Sequence, residues 1–323
     1  MKPTIFNADY LLDPNLMDFD KHVEIHVTRF FKNDDPQHRL EKPPQTIYVQ
    51  NGYLINNKNF KVFIDCNEPK VCWMKEKVEI VLRVGKYYDL ILTSTEELLN
   101  SLPNAKKFVY GTTWLNKKSS GSVYLGEVDE NFTGFDLIKE NSVSFLKSNK
   151  TKDMMHNVPG YILREKIWPL KNDINHSSLF YYSNVYRNFT IVTDLDPFRL
   201  VLRIENDGVL PNDNKLNIFK SKFSVIIENS QEKNYFSEKL IDCLLTRTIP
   251  IYWGCPNISE YFDPNGFIFV NNENDFLSQL NAINLEKYYS DKKESIEKNF
   301  KEAKKYALNF SKRVEAEIKK ALQ

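Results

Sequence analysis

Lys222 to Pro256 reads KFSVIIENSQEKNYFSEKLIDCLLTRTIPIYWGCP, a succession of strand, loop, helix and strand. Phe223 to Glu228 is a continuous apolar and β-branched run without alternation, the pattern of a strand buried on both faces. Ser237 is a candidate N-cap, and Leu240, Ile241, Leu244 and Leu245 then form a one-sided apolar stripe at helical spacing. Thr248 to Trp253 is a second buried run, closed by Gly254 and Pro256. Two buried strands joined by a helix imply a right-handed crossover in a parallel sheet. Ligands of such sheets sit beyond the carboxyl ends of the strands. That rule puts Glu228, Asn229, Tyr235, Glu238 and Lys239 on one rim, as an exposed polar cluster. A lysine in the first turn opposes the helix dipole, and becomes reasonable if an anion sits at the helix start.

The stretch resembles the C-terminal donor-binding motif of the α1,3/4-fucosyltransferase family. The resemblance rests on Glu228-Asn229-Ser230, on Tyr235, on the Glu238-Lys239 pair and on IPIYWGCP at 249–256. An ordinary buried crossover accounts for Ile226, Ile227, Leu244 and Trp253, but not for the polar Tyr-x-x-Glu-Lys spacing.

The 323 residues suffice for two domains, each with its own core. A net charge of +1 argues against a general polyanion-binding surface, so no nucleic-acid partner is expected and phosphate recognition falls to a few placed residues. The four cysteines, Cys66, Cys72, Cys243 and Cys255, fit no zinc spacing and read as reduced, buried thiols. The opening MKPTIFNADY is no signal segment, and no run approaches a membrane span, so the chain reads as cytoplasmic and without an anchor. The sequon Asn188-Phe-Thr is then accidental, and the wealth of Asn, Lys and Ile points to an AT-rich bacterial or viral genome.

Residues 1–44 are polar, with one strand expected at Val23 to Phe30. His22, His26 and His38 have no Cys or acidic partner at ligand spacing and read as solvated or locally bonded. Gln45 to Gln50 and Lys61 to Cys66 read as strands. A βαβ unit follows: Tyr88 to Thr93, a capping box at Ser94-Thr-Glu-Glu97, a stripe of Leu98, Leu99 and Leu102, and a strand at Phe108 to Tyr110. The loop Cys66-Asn-Glu68-Pro69 leaves the end of the strand closing at Asp65. The resemblance implies that this loop carries the catalytic base, and Glu68 is the matching position. Many members have Glu-Ser-Pro where this chain has Glu-Pro, so Asp65 or Asn67 stands as the alternative.

NKKSSG at 116–121 is a turn-rich loop, and the domain change is expected near Leu137. The strand Val143 to Leu146 precedes a helix over Tyr161 to Trp168, and the resemblance implies that Arg164 in that helix reaches the donor diphosphate. With ten glycines and no Gly-rich fingerprint, a diphosphate must be held by cations, with Arg164 and Lys239 the candidates. Asp194-Leu-Asp196 offers a rival, the Asp-x-Asp element of metal-dependent glycosyltransferases, though it is also ordinary turn chemistry. The tail from Leu285 is charged and amphipathic and is expected to pack back on the domains.

The expectation is therefore an α/β protein of GT-B type, with two Rossmann-like domains facing a cleft. Residues 1–137 would bind the acceptor, and 138–323, with the C-terminal helices, the donor. The resemblance implies an inverting transfer of L-fucose from GDP-fucose to a glycan hydroxyl, the 3-OH of GlcNAc or Glc, with Glu68 as base. Arg164 and Lys239 would neutralise the departing GDP, Glu238 and Asn229 would bond donor hydroxyls, and Tyr235 would line the nucleotide pocket. No metal or other cofactor is expected. The rival readings are the metal-dependent transferase using Asp194 and Asp196, and a non-catalytic glycan- or nucleotide-binding relative.

Overall fold

A computed structural model of the chain describes residues 1–6, 12–28, 58–65, 74–109, 111–115, 128–148, 157–183, 210 and 214–323. The expected strand over Gln45 to Gln50, the loop bearing Glu68, the pair Asp194 and Asp196, and His38, Cys66 and Cys72 all lie outside them. The described residues form two five-stranded sheets, each parallel throughout.

The first sheet runs in chain order: β1 (Thr4–Phe6), β2 (Val23–Thr28), β3 (Phe60–Asp65), β4 (Leu90–Thr93) and β5 (Ala105–Lys107). Helix α1 (Met74–Val84) leads into β4, and α2 (Glu96–Ser101) links β4 to β5. Alternate residues of the strands serve two layers. Val62, Ile64, Leu90 and Leu92 face one core, and Phe63 and Ile91 join Val78, Val81 and Leu98 in the other.

The second sheet has the order β10-β9-β8-β6-β7, formed by β6 (Glu140–Lys147), β7 (Ser177–Tyr182), β8 (Ser221–Ile227), β9 (Ile249–Trp253) and β10 (Ile268–Phe269). Helix α3 (Pro159–Ile167) follows β6, and α4 (Glu238–Leu245) joins β8 to β9. Phe223 pairs with Ile249 and Ile227 with Trp253 in parallel register, and every residue of both strands is buried. The crossover expected from the sequence is therefore present. Val225 and Ile227 pack with Leu163 and Phe276 on one face, whereas Ile226 packs with Leu240, Ile241 and Phe300 on the other.

Four helices complete the chain: α5 (Glu273–Ala282), α6 (Leu285–Asp291), α7 (Lys293–Ala307) and α8 (Phe310–Leu322). Phe300 and Ala303 of α7 cover α4. Phe310, Val314 and Ile318 of α8 bury themselves in the core of the first sheet, so the amphipathic tail does pack back. Glu315 fixes this docking by accepting from the Asp18 amide at 2.9 Å. No helix among the described residues is long and apolar enough to cross a membrane.

Two local readings need correction. Thr95, not Ser94, caps α2, and it makes no side-chain cap bond. Its hydroxyl donates to Asp65 Oδ2 at 2.8 Å instead, because a buried carboxylate is the stronger acceptor. The strand expected from Phe108 is Ala105–Lys107; the Phe108 amide still reaches the Thr93 carbonyl at 2.9 Å.

Candidate active site

The carboxyl ends of the two sheets meet. The Asn234 side-chain amide lies 3.4 Å from the carbonyl of Ser94, the residue after β4. On either side of Ser94, the hydroxyls of Thr93 and Thr95 donate to Asp65 Oδ2 at the end of β3. Lys233 pairs with Glu96 at 2.9 Å, and Lys107 lies 3.4 Å from Glu260 and 5.2 Å over the Tyr261 ring. Asn234 holds a left-handed φ of 62°, tolerable for asparagine, and its Oδ1 accepts from Tyr261 and Asn257. These contacts set the loop between β8 and α4 directly against the first sheet. A polar recess of about 420 Å³ lined by Lys21, His22, Lys58 and Asp89 lies at the opposite rim, by the amino ends of β2 and β3.

Five of the six candidate residues gather around this loop. Arg164 is buried on α3 and donates from Nη2 to the Ile227 carbonyl and, at 2.9 Å, to Asn229 Oδ1. Its guanidinium lies 4.6 Å over the Tyr161 ring. The helix can approach this closely because position 160 is glycine: an added Cβ would collide with the Glu228 carbonyl oxygen. The Gly160 amide donates to the Asn229 carbonyl at 2.9 Å. Lys147 ends β6 nearby, its ammonium held below its usual pKa by burial, with Arg164 adding repulsion against the pull of Glu165.

Tyr235, Glu238 and Lys239 surround the start of α4. The cluster is less exposed than the sequence implies: Tyr235 and Glu238 are buried, and the Lys239 side chain is 27% exposed. Packing of Phe236 against Tyr306 and of Gly111 against Phe236 closes the rim from the C-terminal helices and the first half. Ser237 is the N-cap, accepting from the Lys239 amide at 3.3 Å. The Lys239 ammonium lies 3.0 Å from Ser237 Oγ and 3.6 Å from both Glu228 Oε2 and Glu238 Oε1. Burial works to raise the Glu238 carboxyl, but Lys239 and Lys215 bring it below the usual range. Glu228, wholly buried, is raised by burial against the pull of Lys239.

One anchor of the site lay beyond the sequence reading. Asp242, fully buried on α4, accepts from the Thr113 hydroxyl at 2.7 Å, the Trp114 amide at 2.8 Å and Lys215 at 2.8 Å. An acidic residue inside the apolar run Leu240 to Leu245 was the available signal. Cys243 and Cys255 are free and buried, and among the described residues no group of three or more His, Cys, Asp or Glu could hold a metal ion. His26 is buried in β2 and His22 lies 3.2 Å from Thr4 Oγ1.

Chemically, the rim offers a cation at a helix start, a buried guanidinium, and carboxylate and amide groups able to bond hydroxyls. That set suits an anion carrying a polyol. Residues 204–321 match the family model described as glycosyltransferase family 10 (fucosyltransferase), C-terminal. The C-terminal third resembles the family 10 fucosyltransferases. A 67-residue stretch is 42% identical to the alpha-(1,3)-fucosyltransferase FucT of Helicobacter pylori, covering 21% of this chain and 13% of that protein. An alpha1,3-fucosyltransferase crystal structure superposes with a TM-score of 0.48 at 18% identity, covering 93% of this chain and 77% of that one. A second, solved with GDP-fucose, gives 0.45 at 17% identity, covering 95% and 79%. The architecture rests on the sheets themselves rather than on these superpositions.

Proposed function

We propose that the chain transfers L-fucose from GDP-fucose to a hydroxyl of a glycan acceptor, the 3-OH of a GlcNAc or Glc unit, with inversion at the anomeric carbon. The carrying observation is the Lys239 ammonium at the first turn of α4, beside the loop that Arg164 fastens through Asn229. The family 10 match over 204–321, which includes Asn229 and Lys239, supports the choice of sugar nucleotide.

In this reading the diphosphate approaches the start of α4, where Lys239 offers a point charge and Arg164 a forked donor. Glu238 and Asn229 bond donor hydroxyls, and Tyr235 lines the nucleotide pocket. The acceptor oxygen bonds to the anomeric carbon on the face opposite GDP, and its proton passes to the Glu68 carboxylate. The bond from that carbon to the phosphate oxygen breaks, and the negative charge that develops on GDP is met by Lys239 and Arg164. The cations take the part a metal would play, so turnover needs none.

The test is GDP release from GDP-fucose in the presence of GlcNAc- and Glc-terminated acceptors. Acceptor-dependent release with a fucosylated product is expected. Release from UDP-sugars and none from GDP-fucose would overturn the assignment.

A further inference from the structure

The reaction above leaves Glu228 without a part, yet it is a carboxylate with no solvent exposure at the carboxyl end of β8. Its place is built by Gly254, where an added Cβ would stand 2.7 Å from Glu228 Cγ. Oε1 accepts the backbone N–H of Ser237 at 2.8 Å, and Oε2 accepts the Ser237 hydroxyl at 2.7 Å. A hydroxyl has one proton, and this one is committed to Glu228. The Ser237 lone pairs are thereby turned toward Lys239, whose amide lies at 3.3 Å and whose ammonium lies at 3.0 Å.

Only an acceptor at position 228 sets every bond in this direction. A protonated Glu228, or a glutamine, would aim another hydrogen at an oxygen already facing two N–H donors. A helix can be capped by serine alone, so capping does not require a buried charge, which is costly unless paired. Among the described residues it is Lys239 that pairs with it, at 3.6 Å from Oε2. We infer that Glu228 is a positioning residue for donor binding: it orients the Ser237 hydroxyl, and through it holds the Lys239 ammonium at the mouth of α4. This rests on the reading of Lys239 as a ligand of the diphosphate.

A double-mutant cycle on the full chain tests it, with GDP affinity measured by calorimetry for Glu228→Gln, Ser237→Ala, Lys239→Ala and Glu228→Gln with Lys239→Ala. Glu228→Gln and Ser237→Ala should each weaken GDP about tenfold, the loss of one modest charge-assisted contact. In the Lys239→Ala background Glu228→Gln should cost nothing more, because the relay no longer has an end. Ser237→Ala keeps the backbone bond to Glu228 and serves if the glutamine variant does not fold. An equal loss with and without Lys239 would make Glu228 a brace of the loop and overturn the inference, as would undiminished GDP affinity in both single variants. If Lys239→Ala itself binds GDP like wild type, the donor reading of Lys239 falls and takes this inference with it. If Lys239→Ala is weakened but Glu228→Gln and Ser237→Ala are not, the inference alone falls.

Discussion

Arg164 Nη2 donates to Asn229 Oδ1 at 2.9 Å, joining the helix after β6 to the loop after β8. The same nitrogen donates to the Ile227 carbonyl. A residue expected from the sequence to reach a ligand thus also holds two segments of the protein together. Arg164→Ala should weaken GDP and also lower stability by about 1–3 kcal/mol, since a carbonyl and an amide oxygen lose their donor in a buried place. Arg164→Lys should restore little of either, because an ammonium lacks the planar fork. Calorimetry with GDP and thermal unfolding of the same preparations check both. Wild-type stability in the alanine variant would show that the contact is dispensable.

Gly160→Ala should be more damaging than its size implies. The added carbon meets backbone at Glu228 rather than a side chain that can turn away. Overpacking of this kind typically costs about 1–3 kcal/mol or more. Urea denaturation should show a lowered midpoint, and GDP affinity should fall with the displacement of the loop. A neutral Gly160→Ala would mean that α3 and the loop separate easily.

How much of this arrangement the sequence discloses depends on distance along the chain. The β8-α4-β9 unit is legible because every signal lies within 33 residues, from Ser221 to Trp253: two apolar runs, a serine cap and a helical stripe. The closing of the rim around Phe236 is not, since Gly111 and Tyr306, which pack on that ring, come from remote segments. Helix α1 is hard to read because its Val78-Glu-Ile-Val-Leu82 run looks like a strand and no capping residue is evident. Strands of two or three residues, β1, β5 and β10, are too short to carry a period. The role of Asn234 as the junction of the two halves becomes visible only once the loop after β8 meets Ser94 at the end of β4.

Acid should loosen the docking of α8. Burial works to raise the Glu315 carboxyl, but Lys312, the Asp18 amide and Lys319 bring it from its ordinary 4.5 down to about 2. A carboxyl depressed in the folded state contributes stability above its unfolded value and loses it as pH falls toward the folded one. The contribution is therefore full above about pH 4.5 and lost between there and about pH 2. Melting temperature followed down this range should fall less steeply in Glu315→Gln than in wild type. Parallel profiles would show that Glu315 does not govern the acid limb.

The metal-dependent alternative makes a contrary forecast. Asp194→Asn combined with Asp196→Asn should retain turnover, and so should wild type in EDTA. Loss of activity that Mn²⁺ restores would move the diphosphate to a metal site.

Glu68→Gln should lower the rate by about 10²–10⁴-fold while leaving GDP affinity unchanged, because glutamine keeps the shape of the base but cannot take the proton. Turnover within a few-fold of wild type would shift the role to Asp65, whose Oδ2 receives the hydroxyls of Thr93 and Thr95.

The central claim, that the loop and the start of α4 form a GDP-sugar site, is tested most directly by the melting temperature in the presence of sugar nucleotides. A ligand that binds only the native state stabilises it by mass action, by about 2.7 kcal/mol at a hundredfold excess over its Kd. GDP and GDP-fucose should raise the melting temperature, UDP-sugars should raise it less, and Lys239→Ala should blunt the response to GDP. Equal or greater stabilisation by UDP-sugars, or a full GDP response without Lys239, would contradict the account.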